Sequence, residues 1–102
     1  MALDYSYKSG SVTGTGVICS LGTDDMIMPV GALVGGTFVG TVLVEVSNDP
    51  EAGSPTWVPF GSSLTAPGTA KVDIPVKAVR LRCSAYTSGT IEGRVSGAKG
   101  TT

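Results

Sequence analysis

The sequence predicts an all-β domain, an antiparallel β-sandwich or jelly roll of about seven to nine short strands. Its 102 residues, enough for one domain, include 15 glycines and 6 prolines, with many Val and Thr residues. Turn signals recur every ~8–12 residues, and no ten-residue segment has a clean helical period. Together these features favour strands joined by tight turns.

We expect three regions along the chain. Residues 1–10 form an N-terminal arm or edge strand, since Tyr5 and Tyr7 alternate as strand residues do. Residues 11–97 form the sandwich, and residues 98–102 form a flexible tail.

Five segments have the composition of short strands. Residues 11–21 form a strand interrupted by glycines, and residues 26–28 form another, ended by a proline. The clearest strand is 37–47, where valines alternate with polar residues; a Gly-Gly pair precedes it. Residues 57–60 form a short edge strand, and residues 70–75 form a strand whose apolar side chains, Val72 and Ile74, point inward.

The last two strands are predicted to form a hairpin. A three-residue loop of Thr87, Ser88 and Gly89 puts apolar residues opposite one another, whereas a two-residue turn does not. Gly89 takes the left-handed position that such loops need. The resulting pairs are Ala85 with Ile91, Cys83 with Gly93 and Leu81 with Val95.

The charge pattern argues against nucleic acid and membrane as partners. Charged residues make up 15% of the chain and the net charge is −1, so no basic surface steers the protein to nucleic acid. Residues 26–44 carry no charge, but their glycines, their proline and the absence of flanking Lys or Arg favour strands over a membrane helix. Low charge favours burial of surface in an assembly.

Catalysis and cofactor binding are not expected. The chain has no histidine, which removes the commonest general base and metal ligand. The carboxylates of Asp24 and Asp25, and of Asp49 and Glu51, fit turn chemistry better than a hydrolase or calcium site. Cys19 and Cys83 lie far apart in no metal spacing, and the start of the chain shows no secretory signal. We expect free thiols, with a disulfide as the alternative.

For two aromatic features the sequence leaves open whether they bind another molecule or pack within the fold. Trp57, the single tryptophan, could stack on a sugar, but we expect it in the core, packed over the hairpin beside Gly93. Tyr5 and Tyr7 either anchor an arm on a partner or belong to an edge strand with one ring packed down.

Three arginines complete the candidate partner interface with Tyr5 and Tyr7. The predicted hairpin places Arg82 opposite Arg94 on the outer face, with Arg80 two residues along. Like charges directly opposite are unfavourable unless a partner supplies a carboxylate. In the alternative interpretation, Glu92 and Glu45 lie nearby and the arginines form a solvated charge ladder.

Two segments resemble small β-sandwich structural proteins of tailed bacteriophages, which decorate or cement capsids or build head and tail appendages. One is Val42-Leu43-Val44-Glu45-Val46-Ser47-Asn48-Asp49 followed by Trp57-Val58-Pro59-Phe60. The other is Ile74-Pro75-Val76-Lys77-Ala78-Val79-Arg80-Leu81-Arg82, then Ala85-Tyr86-Thr87-Ser88-Gly89-Thr90. The resemblance covers roughly residues 37–97. The related pattern has Gly after the Asp, whereas Pro50 stands here and the loop before Trp57 is longer.

The resemblance implies a virion protein on the capsid surface, made in the host cytoplasm. It implies a homo-oligomer, with a trimer favoured, that binds the major capsid protein and stabilises neighbouring coat subunits. The alternative is a tail, fibre or glycan-receptor-binding module.

Overall fold

The computed structural model describes the backbone of residues 2–23 and 27–101 and the side chains of residues 6–23 and 29–98. Within these ranges eight strands form two four-stranded antiparallel sheets, and no helix occurs. The predicted all-β sandwich class is confirmed. The strands are β1 (Ala2–Val12), β2 (Gly16–Gly22), β3 (Ile27–Gly35), β4 (Phe38–Ser47), β5 (Val58–Pro59), β6 (Gly68–Val72), β7 (Ala78–Gly89) and β8 (Ile91–Thr101).

The strand order follows a nested pattern. Sheet A has the order β1-β8-β3-β6, and sheet B has the order β2-β7-β4-β5. Strand β1 pairs with β8, β2 with β7, β3 with β6 and β4 with β5, all antiparallel. The chain is therefore one long hairpin of four strand pairs, folded so that alternate pairs lie in opposite sheets.

The core lies between the two sheets and is built mainly of β-branched side chains. Strands β4, β7 and β8 contribute their alternate residues, which have almost no solvent exposure. Period-two alternation directs these side chains inward and leaves the intervening ones outside. The fully buried members with the largest side chains include Leu81, Ile91, Val30, Val42, Val44, Val72, Val79 and Val95.

The predicted hairpin of the last two strands is wrong. Strand β7 pairs with β2 and β4 in sheet B, whereas β8 pairs with β1 and β3 in sheet A. The chain changes sheets at Gly89 and Thr90, where the Thr90 amide donates a hydrogen bond to the Thr37 carbonyl at 2.9 Å. Apolar alternation fitted both arrangements, because strands facing each other across a core also point their apolar sides together.

The left-handed position predicted for Gly89 is confirmed, although it serves a crossover between sheets. Its φ is 92°, and a side chain there would meet the Thr37 carbonyl oxygen and the Cα of Phe38. Glycine is the residue that meets both conditions.

Several predicted strand boundaries shift in the structure. Strand β4 and the inward direction of Val72 match the prediction, but Ile74 is 42% exposed and lies after the end of β6. Strand β3 continues past Pro29, which sits at an irregularity in the pairing with β8 and so removes no regular ladder bond. Asp24, Asp25 and the first residue of the predicted strand 26–28 lie outside the described residues.

Residues 27–35 and 38–47 form β3 and β4, where a membrane helix was the rejected alternative. The described residues include no helix long and apolar enough to cross a membrane. Residues 2–12 pair along their whole length with residues 91–101. The division of the chain into arm, sandwich and tail stays a prediction.

Candidate interaction surfaces

A carboxylate shared by two arginines lies on the outer side of sheet B. Arg80 Nε donates to Glu45 Oε1 at 2.7 Å, and Arg82 Nε donates to Glu45 Oε1 and Oε2, both at 3.1 Å. The Glu45 side chain is 5% exposed, and those of Arg80 and Arg82 are 19% and 36% exposed. Two cations therefore cover one nearly buried anion, and the group has a net charge of +1.

The strand register explains why these side chains meet. Glu45 on β4 lies directly opposite Arg80 on β7, and Leu43 lies opposite Arg82. Both strands are central in sheet B, so the positions of the side chains are fixed by pairing on both sides. Each guanidinium uses Nε for Glu45, and the two Nη atoms of each make no hydrogen bond with the described residues. These donors are therefore free to bind water or an acceptor on another molecule.

Trp57 lies beside this group on the outside of the sheet. The guanidinium carbon of Arg80 lies 4.2 Å from the centre of the Trp57 ring, a cation–π contact. The expected core position for Trp57 is not observed: the ring is half-buried. The space beside Gly93 is filled by Ile18 and Leu81, whose side chains a Cβ at Gly93 would meet at 2.8 and 2.9 Å.

Apolar side chains flank Arg82 on both neighbouring strands. Val17 on β2 and Leu43 on β4 are its neighbours across the sheet, and Val17 is 46% exposed. Aromatic and arginine side chains bordered by apolar surface are typical of interface anchor points. We call this surface the sheet B face; it consists of Val17, Leu43, Glu45, Trp57, Arg80 and Arg82.

A second arginine–aromatic pair lies on the outer side of sheet A. The guanidinium carbon of Arg94 lies 4.4 Å from the centre of the Tyr7 ring, and Tyr7 is 56% exposed. Within the described residues Arg94 forms no salt bridge. Among the described side chains, the contact that holds Arg94 is therefore the one with the exposed Tyr7 ring.

A shallow depression of about 560 Å³ lies beside Arg94. Strand pairing places Ser9 and Leu33 level with Arg94, and Ser11 and Gly35 level with Glu92. Glu92 is exposed and makes no salt bridge to any described residue. We call this surface the sheet A face; it consists of Tyr7, Ser9, Ser11, Leu33, Gly35, Glu92 and Arg94.

The loop between β4 and β5 is braced by Asp49. Its Oδ1 accepts hydrogen bonds from the Thr56 amide at 3.0 Å and from Ser47 Oγ at 2.9 Å. These bonds, the Thr56 amide first, lower the pKa of the Asp49 carboxyl below its ordinary value. Asp49 thus stabilises the turn by hydrogen bonds within its own loop, and it positions Thr56, the residue that precedes Trp57.

The two cysteines are buried and not bonded to each other. Burial raises the pKa of the Cys19 thiol, which disfavours the thiolate form. The described side chains contain no group of three or more His, Cys, Asp or Glu residues arranged to hold a metal ion.

The structure separates the predicted interface residues into two groups. Arg80 and Arg82 lie together on the sheet B face, whereas Tyr7 and Arg94 lie together on the opposite side of the sandwich. Arg82 and Arg94 are therefore not opposite one another. Tyr5 is level with Ala98 in the β1–β8 ladder, and its side chain lies outside the described residues. The role of all five residues in an interface stays a prediction.

Sequence reasoning missed both arginine–aromatic contacts. Trp57 and Arg80 are 23 positions apart, and Tyr7 and Arg94 are 87 positions apart, so no local spacing connects them. The alternation in 37–47 did place Glu45 on the outer side of its strand, which was a usable signal that it could meet an arginine.

Known proteins match this chain in structure only. No protein-family model matches it, and no curated protein matches it in sequence. The SPBc2 prophage-derived protein YomS has a similar structure, with a TM-score of 0.69 and 14% identity over 94% of this chain and 96% of that protein. The two chains share a fold, which confirms the predicted resemblance to phage β-sandwich proteins at the level of fold.

A second similar structure is a chain of the cyanophage Pam1 capsid asymmetric unit. It matches with a TM-score of 0.40 and 21% identity, over 96% of this chain and 85% of that chain. At that TM-score we draw no conclusion from it.

Proposed function

We propose that this chain is a non-enzymatic structural protein of a phage virion, which decorates the capsid and stabilises neighbouring coat subunits. The observation that carries the proposal is the sheet B face, where two arginines and a tryptophan are fixed in place around one carboxylate. The sandwich shared with a prophage-derived protein supports the phage context.

The sheet B face has the physical properties of a binding surface. Arg80 and Trp57 are held before any partner arrives, so less side-chain entropy is lost on binding. The Nη donors of both arginines can bind a carboxylate of the coat protein in the bidentate geometry that guanidinium groups favour. Val17 and Leu43 add apolar area beside them.

Binding rather than catalysis fits the state of the carboxylates. Glu45 is covered by two arginines, and Asp49 is used in bracing its loop. The sequence contains no histidine to act as a base. A general acid or base needs a carboxylate that can exchange its proton with substrate, and neither of these is arranged for that.

We further propose the assembly in which the protein works. Copies form homotrimers on the outer surface of the capsid after synthesis in the host cytoplasm, and each binds the major capsid protein. Low charge, 15% of residues against about 25% in an average domain, suits a surface that is covered on assembly. Repeated attachment around the shell multiplies a modest single contact. The strands pair in a nested order, β1 with β8, β2 with β7, β3 with β6 and β4 with β5. This order supports classing the sandwich as a jelly roll.

The test is binding of the purified chain to expanded capsid shells that lack it. We expect saturable, stoichiometric binding and a higher melting temperature of the shell. Arg82→Ala should weaken binding by about tenfold or more, as loss of an interface anchor does. Lys71→Ala, an exposed cation at the edge of sheet A, is the matched control and should bind normally.

Val17→Ser provides a variant that leaves the Glu45 group intact and removes exposed apolar area. It should also weaken shell binding, by less than Arg82→Ala. Light scattering tests the trimer: a monomer both on and off the shell contradicts it. Binding to a glycan array with no binding to shells would replace the proposal with receptor recognition.

A further inference from the structure

The sheet A face carries one positive and one negative side chain, and neither is used within the described chain. Arg94 and Glu92 are two residues apart on β8 and point to the same side, about 7 Å apart along the strand. They form no salt bridge with each other or with another described residue. This contrasts with Glu45, which is paired twice.

The sheet A face has large side chains around its positive residue and small ones around its negative residue. On the level of Arg94 lie Ser9 and Leu33, which is 48% exposed, and the ring of Tyr7, at the level of Ser96, contacts the guanidinium. On the level of Glu92 lie only Gly35 and Ser11. One half of the face is raised and positive, and the other half is low and negative, around the depression described above.

We propose that the sheet A face binds the same face of a second copy of this chain around a two-fold axis. The axis lies in the plane of the interface, perpendicular to β8 and level with Gly93. Rotation about such an axis reverses the strand direction and places each strand over the same strand of the second copy. Arg94 then faces Glu92 of the second copy, and Leu33 faces Gly35 of the second copy.

The same axis makes both the charges and the shapes of the two faces complementary. The register places Gly10, Gly93 and Val34 on one level, and the levels on either side carry the residues that must meet. Ser9 then faces Ser11 of the second copy, a contact of two small polar side chains. Because each contact occurs twice, one interface gains two ion pairs and two apolar contacts. Sheets that pack face to face lie about 10 Å apart, which these side chains span.

The contact is independent of the proposed binding to capsids, because it uses the opposite side of the sandwich. It is tested on the isolated full chain by sedimentation over a concentration series up to about millimolar. The wild-type species should have twice the mass of the species that the Glu92→Arg variant forms alone. This ratio is the same whether the variant is a monomer or the proposed trimer. A wild-type mass equal to that of the variant throughout would overturn the contact.

Charge exchange gives the sharpest form of the test. Glu92→Arg and Arg94→Glu each put like charges together, and each should weaken the association by about tenfold or more. An equimolar mixture of the two variants should regain it, since each Arg then faces a Glu. A mixture that associates no better than the single variants contradicts the two-fold arrangement.

Gly35→Val tests the apolar half of the contact without changing charge. A Cβ at Gly35 meets no atom within 4 Å, so the isolated chain accepts a side chain there. The variant should keep its melting temperature and lose the association, because Leu33 of the second copy has no space. Glu51→Arg and Lys77→Glu make the same charge changes at exposed positions elsewhere and should leave the association unchanged.

Discussion

The two outer faces of the sandwich use the same residue types in different ways. On the sheet B face Arg80 stacks on Trp57 and shares a buried carboxylate with Arg82, so the one anion is paired twice and its partners are held in place. On the sheet A face Arg94 stacks on exposed Tyr7, and Glu92 is two residues away without a partner among the described residues. The difference teaches that an arginine–aromatic contact should stabilise the fold more where burial and a counter-charge accompany it than where the ring is exposed.

The largest expected change in stability comes from neutralising one carboxylate on each face. Glu45→Gln should lower the free energy of unfolding by about 2–3 kcal/mol, because it leaves two partly buried guanidinium groups without their anion. Glu92→Gln, the matched change on the sheet A face, should alter it by less than about 0.5 kcal/mol. Urea denaturation of both variants measures the two values.

Equal effects of these two variants would contradict the comparison. The value for Glu45 is set below that of a fully buried pair, since the Arg82 side chain is 36% exposed and partly screened by water.

The next effect concerns the two aromatic rings. Trp57→Ala should destabilise the fold by about 1–2 kcal/mol, because a half-buried ring and its contact with Arg80 are lost. Tyr7→Ala should cost about 0.5 kcal/mol, since that ring is 56% exposed. Thermal unfolding followed by circular dichroism distinguishes them, and a larger loss for Tyr7 would show that the sheet A face is the better packed one.

The smallest effect is spectroscopic and concerns the loop that leads to Trp57. The folded-state pKa of Asp49 is lowered, so its contribution is complete above its unfolded value of about 3.9. It is lost as the pH falls through the lowered folded value, when protonation weakens the bonds from Thr56 and Ser47. Emission of the single tryptophan should then shift to longer wavelength, before global unfolding.

Asp49→Asn is the control for this titration. It removes the titrating group, so the emission of its Trp57 should not change over the same pH range. A shift that persists in the variant would assign the change to another carboxyl group.

The sequence predicted several local features of this protein. Alternating valines located β4 and its buried side, and Gly89 was placed correctly in the left-handed region because few other residues adopt it. The resemblance to phage sandwich proteins was confirmed for the fold. These features depend on neighbouring residues, which a sequence displays directly.

The strand partners could not be predicted in the same way. Leu81 and Val95 both point into the core, and alternation alone allows them to be neighbours in one sheet or to face each other across two. The structure places β7 and β8 in different sheets, so Arg82 and Arg94 lie on opposite sides of the molecule. The predicted arginine pair was wrong for this reason.

By itself the sequence determined that this chain forms a β-sandwich, which side of each major strand is buried, and where glycine permits the chain to turn. The tertiary structure alone decided which side chains meet: Glu45 lies between Arg80 and Arg82, and Arg94 contacts Tyr7 on the other face. The physical reason is that alternation fixes the side of a strand on which a residue lies. The partner across the sheet depends on which strands pair and in what register, and these follow from packing of the whole core.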